Sequence, residues 1–279
     1  MFRGFNTVAS GMIAQQRRTE LLTNNMANAN TPGYKADQST IRSFPEMLLS
    51  RVGPTKIPTE NPINGKYATE VGGLSTGVYM QETIALLTQG QLQQTDFNTD
   101  IALIDGSLPV DEETGQTGAL FYRLQHPGQG EAYTRNGNFT LDAEGFLTNA
   151  QGLYVLDAEG QRIQLQNDDF RVADDGQIFV NDASVARIGV SFAAQPEKLM
   201  KQDNGLFRTA DGTDLPSAYN IADVSFSMQQ GFIERSNVDS ARTMTDLLTA
   251  YRAFEANQKV LQAYDQSMQK TVNEVGRIN

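Results

Sequence analysis

Few side chains in this 279-residue sequence are of the types that carry out chemistry. The sequence has one histidine, His126, and no cysteine. Because Pro127-Gly128 follows the histidine, we expect it in a loop. A catalytic triad or a histidine-based metal site needs more such residues than the sequence supplies. We therefore predict no catalytic residue, no metal site and no cofactor.

Carboxylates are the other candidate groups, and they form three clusters, at 111–113, 168–169 and 174–175. A calcium loop needs alternating oxygen ligands and a distal glutamate, and none of the clusters has that spacing. Adjacent acids in turns are typical of a solvated surface. A carboxylate pair for glycoside hydrolysis stays open as an alternative, because sequence does not reveal separation in space. An envelope hydrolase is therefore one alternative function.

A second polar feature is the run of asparagines in NNMANANTPGYK, where four of the seven residues 24–30 are asparagine. This is more than a helix end requires, and it indicates hydrogen bonds between neighbouring side chains. Thr31-Pro32-Gly33-Tyr34 has proline and glycine at the central positions of a type II turn. The segment therefore predicts a helix end followed by a tight polar turn.

The C-terminal stretch must form a long helix. Between Ser236 and Gly276 there is no proline or glycine. Apolar residues recur three and four apart, with Gln258 and Asp265 at the two polar positions of the series, which is the pattern of a helix packed on other helices. Ser236 and Asp239 have capping-box spacing, so we expect the helix to begin at Ser236. The apolar members are Met244, Leu247, Tyr251, Phe254, Leu261, Met268, Val272 and Val275.

The N-terminus carries a matching stripe, which predicts a second helix. Gly4 and Gly11 each weaken that helix by about 1 kcal/mol relative to alanine, so we expect it to be stable only when packed. The two helices could form a hairpin within one domain or pair between subunits, and their length favours pairing between subunits. The stripe consists of Phe5, Val8, Met12, Gln15, Thr19, Leu22 and Met26.

In the middle of the chain the apolar residues recur with a period of two, as they do in β-strands. Two copies of LDAEG, at 141–145 and 156–160, place glycine at turns between short apolar strands. Asp175-Gly176 and Asp211-Gly212 repeat the signal, which is typical of antiparallel β-structure. We therefore predict an α+β fold in which long N- and C-terminal helices pair as a coiled coil around a central, mainly antiparallel β domain. The predicted regions are 1–35 (N-terminal helix and turn), 36–75 (extended linker or arm), 76–235 (all-β domain) and 236–279 (C-terminal helix).

The composition of the chain limits the classes of partner that the protein could bind. The net charge is −11, while the first 35 residues are basic, so the acidic excess lies in the middle. An acidic centre argues against a nucleic-acid partner. The apolar runs are too short for a membrane span, and the N-terminus lacks the apolar core of a cleavable signal peptide. We predict no membrane insertion and no small-molecule substrate.

Three segments resemble the flagellar axial proteins, specifically the basal-body rod and hook family. The N-terminal match is NNMANANTPGYK, and the C-terminal match comprises SNVD at 236–239 and YRAFEANQKVLQAYD at 251–265. The central segment AYTRNGNFTLDAEGFLTNAQG is also similar to that family. The sequence departs from the family pattern at 107–124, where a longer acidic connection is inserted.

This resemblance implies a structural subunit of the flagellar rod, closer to the distal rod than to the hook or proximal rod. It implies helical polymerisation through the terminal helices, torque transmission, and partners among its own copies, other rod and hook subunits and the flagellar export apparatus. It also implies location in the basal body, within the cell envelope and periplasmic space, after export without a cleavable signal. A secreted β-rich binding module is the weaker alternative.

The assembly residues indicated by the stripes and the resemblance lie at both ends. They are Phe5, Val8, Met12, Leu22, Met26, Asn24, Asn25, Asn28, Thr31, Pro32, Gly33 and Tyr34 at the N-terminus, and Ser236, Asn237, Asp239, Met244, Leu247, Tyr251, Phe254, Glu255, Asn257, Leu261, Met268 and Val272 at the C-terminus.

Overall fold

The structure, a computed structural model, describes residues 2–56, 64–111, 115–128, 130–202 and 205–275. A helix lies at each end of the chain, α1 (Phe2–Ala27) and α2 (Ser240–Val275), and the strands between them pair antiparallel. The predicted α+β class is therefore confirmed. Within the described residues, neither helix has a stretch both long and apolar enough to cross a lipid bilayer.

Nineteen strands lie between the helices in the described part of the chain. They are β1 (Asp37–Ser43), β2 (Met47–Lys56), β3 (Asn64–Leu74), β4 (Val78–Ala85), β5 (Leu92–Gln94), β6 (Ile101–Asp105), β7 (Ala119–His126), β8 (Gly130–Thr134), β9 (Phe139–Leu141), β10 (Leu147–Asn149), β11 (Tyr154–Val155), β12 (Arg171–Val172), β13 (Gln177–Val180), β14 (Ala183–Arg187), β15 (Val190–Ala193), β16 (Leu199–Lys201), β17 (Leu206–Thr209), β18 (Phe226–Gln230) and β19 (Phe232–Glu234).

The start of the C-terminal helix differs from the prediction. It begins at Ser240, not at Ser236. The reason is that the Asn237 side chain is tied elsewhere: its oxygen accepts from the backbone N–H of Ala36 at 2.8 Å, and its nitrogen donates to the Leu86 carbonyl at 2.7 Å. Asp239 therefore precedes the first helical residue, a position where aspartate is favoured.

The chain forms two compact units, and the first comprises Met1–Thr23, Ser39–Thr83 and Ala241–Asn279. It holds most of both helices and the antiparallel hairpin of β2 and β3, whose register runs from Met47↔Leu74 to Lys56↔Asn64. This hairpin lies within 36–75, the region predicted as an extended linker or arm. A two-stranded hairpin consists only of edge strands, so Pro54 is tolerated within β2.

The second unit comprises Asn24–Gln38 and Ile84–Ser240. Its largest sheet has the order β16-β17-β8-β7-β11-β10-β9, with β15 also paired to β7. A three-stranded sheet, β12-β13-β14, and the pairs β18-β6 and β19-β5 complete it. Its main core contains fully buried Ile101, Tyr122, Phe139 and Ile178.

The two LDAEG copies form the predicted turns. In each copy the aspartate carboxylate, Asp142 or Asp157, accepts from the backbone N–H groups two and four residues later, at 3.0 and 2.7 Å. The glycines that close them have positive φ, +82° at Gly145 and +83° at Gly160. The turn prediction is confirmed at both copies.

Candidate functional site

The N- and C-terminal polar motifs lie side by side in the second unit. We call residues 24–38 the turn segment, residues 232–239 the C-terminal segment, and their contact the junction. The Gly33 N–H donates to the Glu234 carbonyl at 2.8 Å, and the Asn237 N–H lies 3.4 Å from the Tyr34 carbonyl. The structure thus joins the two motifs that sequence analysis placed at opposite ends of the chain.

The turn segment has the predicted local structure. The Tyr34 N–H donates to the Thr31 carbonyl at 3.3 Å, and Gly33 has φ +67°, as a type II turn requires. A Cβ on Gly33 would lie 2.5 Å from the backbone nitrogen of Asn136. Glycine is therefore required both by the backbone angle and by this close approach.

The asparagines serve side-chain hydrogen bonding, as expected. The Tyr34 hydroxyl lies 2.8 Å from Asn24 Oδ1 and 3.1 Å from Asn25 Oδ1. Burial raises the pKa of Tyr34 and Asp37 adds to the effect, so the hydroxyl remains a donor. The Asn25 amide also bonds the backbone of Asp37, donating at 2.8 Å and accepting at 2.9 Å. Asn28 donates to the Asn24 carbonyl at 2.9 Å.

A buried carboxylate holds the junction together. Glu234 accepts from Lys35 Nζ at 2.6 Å, from Arg135 Nε at 2.7 Å and from the Gly90 N–H at 2.7 Å. The Lys35 and Glu234 side chains are both only 1% exposed. Burial alone would raise the pKa of Glu234, but Arg135, Lys35 and the Gly90 N–H together lower it. The carboxylate is therefore ionised at neutral pH.

The two cations differ in how well they are paired. Arg135 also forms an ion pair with Asp105 at 2.8 Å and donates to the carbonyls of Leu120 and Leu103 at 2.9 and 3.0 Å. Burial lowers the pKa of Lys35, and the neighbouring Arg135 adds to this against the pull of Glu234. Lys35 otherwise donates to the Thr88 carbonyl at 2.8 Å. Lys35 therefore depends on Glu234 more than Arg135 does.

The charged members of this site, Lys35, Arg135 and Glu234, are not among the assembly residues predicted from the sequence. A signal was present, since Lys35 ends NNMANANTPGYK, Arg135 lies in AYTRNG and Glu234 is two residues before SNVD. Charged residues beside polar motifs usually lie in solvent, and only the fold buries these three together.

The predicted stripe on α2 divides into half-buried and exposed residues in the structure. Leu247, Phe254, Leu261 and Met268 are half-buried, but Met244, Tyr251 and Val272 are exposed, Tyr251 by 50% and Val272 by 71%. The inner face of α2 combines those four half-buried residues with Ala250, which is buried, and with Thr243, Asn257 and Tyr264, which are half-buried. On α1, the predicted Phe5, Val8, Met12, Leu22 and Met26 are all half-buried, as is Glu255 on α2.

Two glycines of α1 explain why Asn257 and Tyr264 lie on the inner face of α2. A Cβ on Gly4 would collide with the Tyr264 hydroxyl, and one on Gly11 would lie 3.3 Å from Asn257 Nδ2. Gly4 and Gly11 weaken α1, but they also make room for Tyr264 and Asn257, which a pattern of apolar residues cannot reveal.

The candidate chemical groups lie apart from the junction. His126 is the last residue of β7, not a loop residue as expected. Asp111 accepts from Gln195 Nε2 at 2.7 Å, while Glu112 and Glu113 lie outside the described residues. Asp168 and Asp169 are exposed. Among the residues that the structure describes, no cluster of three His, Cys, Asp or Glu could hold a metal ion.

Comparison with known proteins identifies what the chain is similar to. Three family models match: "Flagella basal body rod protein" at residues 5–35, "Flagellar hook protein FlgE/F/G D1 domain" at 117–180, and "Flagellar basal body rod FlgEFG protein C-terminal" at 229–274. The chain is 47% identical to the flagellar hook-basal body complex protein FlhO of Bacillus subtilis (strain 168), covering 100% of both chains. It is 30% identical to FlgG, a flagellar basal-body rod protein of the same organism, over 98% of this chain and 99% of that one. FlgG of Borreliella burgdorferi is 29% identical over 95% and 96%.

Proposed function

The chain belongs to the flagellar basal-body rod and hook protein family, whose members are structural subunits and not enzymes, and from this membership we propose that it builds the distal rod. In this proposal the subunits polymerise helically through their terminal regions, 1–35 and 236–279. A head-to-tail contact that does not close produces such a filament. The filament would transmit torque through the cell envelope.

The exposed face of α2 carries this proposal. Met244, Leu248 and Tyr251 are exposed apolar side chains on neighbouring turns of one face of this 36-residue helix, and Val260 and Val272 are exposed farther along it. Isolated exposed apolar residues are ordinary, but a series along one long helix is typical of a protein interface. We infer that copies of this chain, or other axial subunits, cover it in the rod.

The close approaches between α1 and α2 support coiled-coil pairing of the terminal helices. The two approaches, Gly4 to Tyr264 and Gly11 to Asn257, are each seven residues apart in opposite directions along the helices. Seven-residue spacing is the repeat of a coiled coil. We infer an antiparallel pair within the subunit, with the outer face of α2 left for packing between subunits.

Similarity to a rod protein supports the rod over the hook. The chain and FlgG, a basal-body rod protein, are similar over 98% and 99% of their lengths. A hook or proximal-rod subunit is the alternative within the family. We further propose that the subunit reaches the basal body, in the cell envelope and periplasmic space, through the flagellar export apparatus.

Locating the tagged protein in purified basal bodies tests this proposal. An epitope-tagged chain that restores motility to a deletion strain would be purified with its basal bodies and imaged with a labelled antibody. We expect label on the distal part of the rod. Label on the hook or on the base of the rod would replace the distal assignment, and basal bodies without label would reject a structural role.

A further inference from the structure

The junction joins two segments that are far apart in the chain, and the inference drawn from it goes beyond the proposed function and does not depend on it. Lys35 and Glu234 are 199 residues apart in sequence, yet both are buried and bonded to each other. Closing so long a loop is entropically costly, so the intervening chain must be organised before the two groups can meet.

The core of the β domain can form without either partner. Its two buried clusters, as far as the chain is described, contain no residue of the turn segment or of the C-terminal segment. Arg135 is also satisfied within that core, because Asp105 and the carbonyls of Leu120 and Leu103 bind its guanidinium. The site that receives Glu234 therefore exists once the core has folded.

The C-terminal segment can dock on this core by itself. Strand β19 pairs with β5 from Phe232↔Gln94 to Glu234↔Leu92, and the Arg235 N–H donates to the Gln91 carbonyl at 2.8 Å. The Glu234 carboxylate then reaches Arg135 and the Gly90 N–H, both at 2.7 Å. None of these contacts involves the turn segment.

The turn segment is not independent in the same way. It has attachments of its own, since the Leu86 N–H donates to the Ala36 carbonyl at 2.8 Å and Lys201 Nζ lies 2.9 Å from Asp37 Oδ1. However, docking it buries the Lys35 ammonium beside the Arg135 guanidinium. Without Glu234 between them, the ammonium would have the Thr88 carbonyl as partner and a like charge nearby, which is strongly unfavourable in a buried site.

We propose that the C-terminal segment is a latch for the N-terminal motif: residues 24–38 dock only after residues 232–239 have docked. The N-terminal motif then takes its ordered form only in a chain whose C-terminal motif is in place. A chain that is truncated or still incomplete presents the turn segment undocked. As a result, the N- and C-terminal motifs of the subunit become ordered together.

Hydrogen exchange on the dilute full-length chain tests the order. Glu234→Gln keeps the size of the side chain and removes its charge. We expect the amides of residues 24–38 to exchange about tenfold faster or more, while those of β7 and β8 keep their protection. Glu131→Gln is the matched control, because it removes a carboxylate paired with Arg123 in the same domain but outside the junction.

The reverse variant distinguishes a latch from a mutual contact. Gly33→Val displaces the turn segment, since its Cβ would lie 2.5 Å from the Asn136 nitrogen. Residues 24–38 should lose protection while 232–235 keep theirs. Asp37→Ala serves if that variant fails to fold: it removes the ion pair between the turn segment and Lys201, leaves every side chain of residues 232–239 in place, and should release the turn segment alone.

Three results would overturn the latch. Residues 24–38 could stay protected in Glu234→Gln, so that docking needs no latch. Residues 232–235 could lose protection together with 24–38 in Gly33→Val or Asp37→Ala, so that the two segments dock as one. Protection in β7 and β8 could collapse in Glu234→Gln, so that the junction is part of the core.

Discussion

At the scale of single residues, one carboxylate decides how the junction responds to acid. The Glu234 side chain is 1% exposed and binds two cations, which lower its pKa below the ordinary value of 4.5. A group whose pKa is lower in the folded state stabilises the fold above its unfolded pKa and loses that contribution as the pH falls through the folded pKa. The junction is therefore an acid-sensitive element.

We predict that the melting temperature of the β domain falls more steeply below about pH 4.5 in the natural chain than in Glu234→Gln. The glutamine variant cannot take up the proton and should be less stable than the natural chain at pH 7, with the difference shrinking in acid. Scanning calorimetry from pH 7 to pH 3 measures both curves. Glu131→Gln should keep the steep acid limb, and parallel curves for the natural chain and Glu234→Gln would contradict the prediction.

Gly33 is the other residue on which the junction depends. We predict that Gly33→Ala destabilises the fold by about 1–2 kcal/mol for the left-handed backbone and by about 1–3 kcal/mol more for the collision with Asn136. Gly152→Ala is the matched control, because Gly152 has φ +78° but no atom near its Cβ position. Urea denaturation of both variants gives the comparison, and equal losses would mean that the close approach to Asn136 costs nothing.

At the scale of elements, α2 has two apolar faces with different neighbours. Leu247, Phe254 and Leu261 are half-buried on the face that also holds Ala250, which is 3% exposed. Met244 and Tyr251 lie exposed on the other face. The inner face belongs to the subunit, and we assign the outer face to assembly.

We predict that Met244→Ala with Tyr251→Ala blocks rod formation while the monomer melts within about 0.5 kcal/mol of the natural chain, as surface substitutions do. Leu247→Ala with Leu261→Ala is the comparison pair and should reduce hydrogen-exchange protection along α2 in the monomer itself. Export assays, melting and electron microscopy of basal bodies provide the measurements. A normal rod built from the Met244 and Tyr251 variant would show that the outer face is not the assembly surface.

At the scale of the whole molecule, the β domain carries its own core. The buried residues of the main cluster lie between Ile101 and Met228, and those of the second cluster lie between Ala119 and Phe207. Both ranges fall within the region predicted as 76–235. The chain outside that region contributes Lys35, Ala36 and Asn237 to the junction. The domain should therefore fold without the terminal regions and gain stability from them.

We predict that a fragment of residues 76–235 is soluble and melts in one cooperative transition, below the melting temperature of the full chain because Lys35 and Asn237 are missing. Circular dichroism and calorimetry on fragment and full chain measure this. A fragment that stays unfolded until the terminal regions are restored would reject the predicted domain limits.

Features set by local chemistry could be predicted from sequence alone. The type II turn at 31–34 and the LDAEG turns follow from where glycine and proline stand, because a positive φ favours glycine in any tertiary context. The helix type of both ends follows from a three-four apolar repeat. The family resemblance came from the same short motifs, and comparison with FlhO and FlgG confirmed it.

Only the tertiary structure decided which groups meet. The apolar repeat on α2 fits two adjacent faces almost equally well, and the space left by Gly4 and Gly11 selects the one containing Asn257 and Tyr264. The helix starts at Ser240 because Asn237 bonds a segment 201 residues away in sequence. Lys35, Arg135 and Glu234 look like ordinary surface charges in sequence. Burial and ion pairing are properties of contacts between distant residues, and no local pattern contains them.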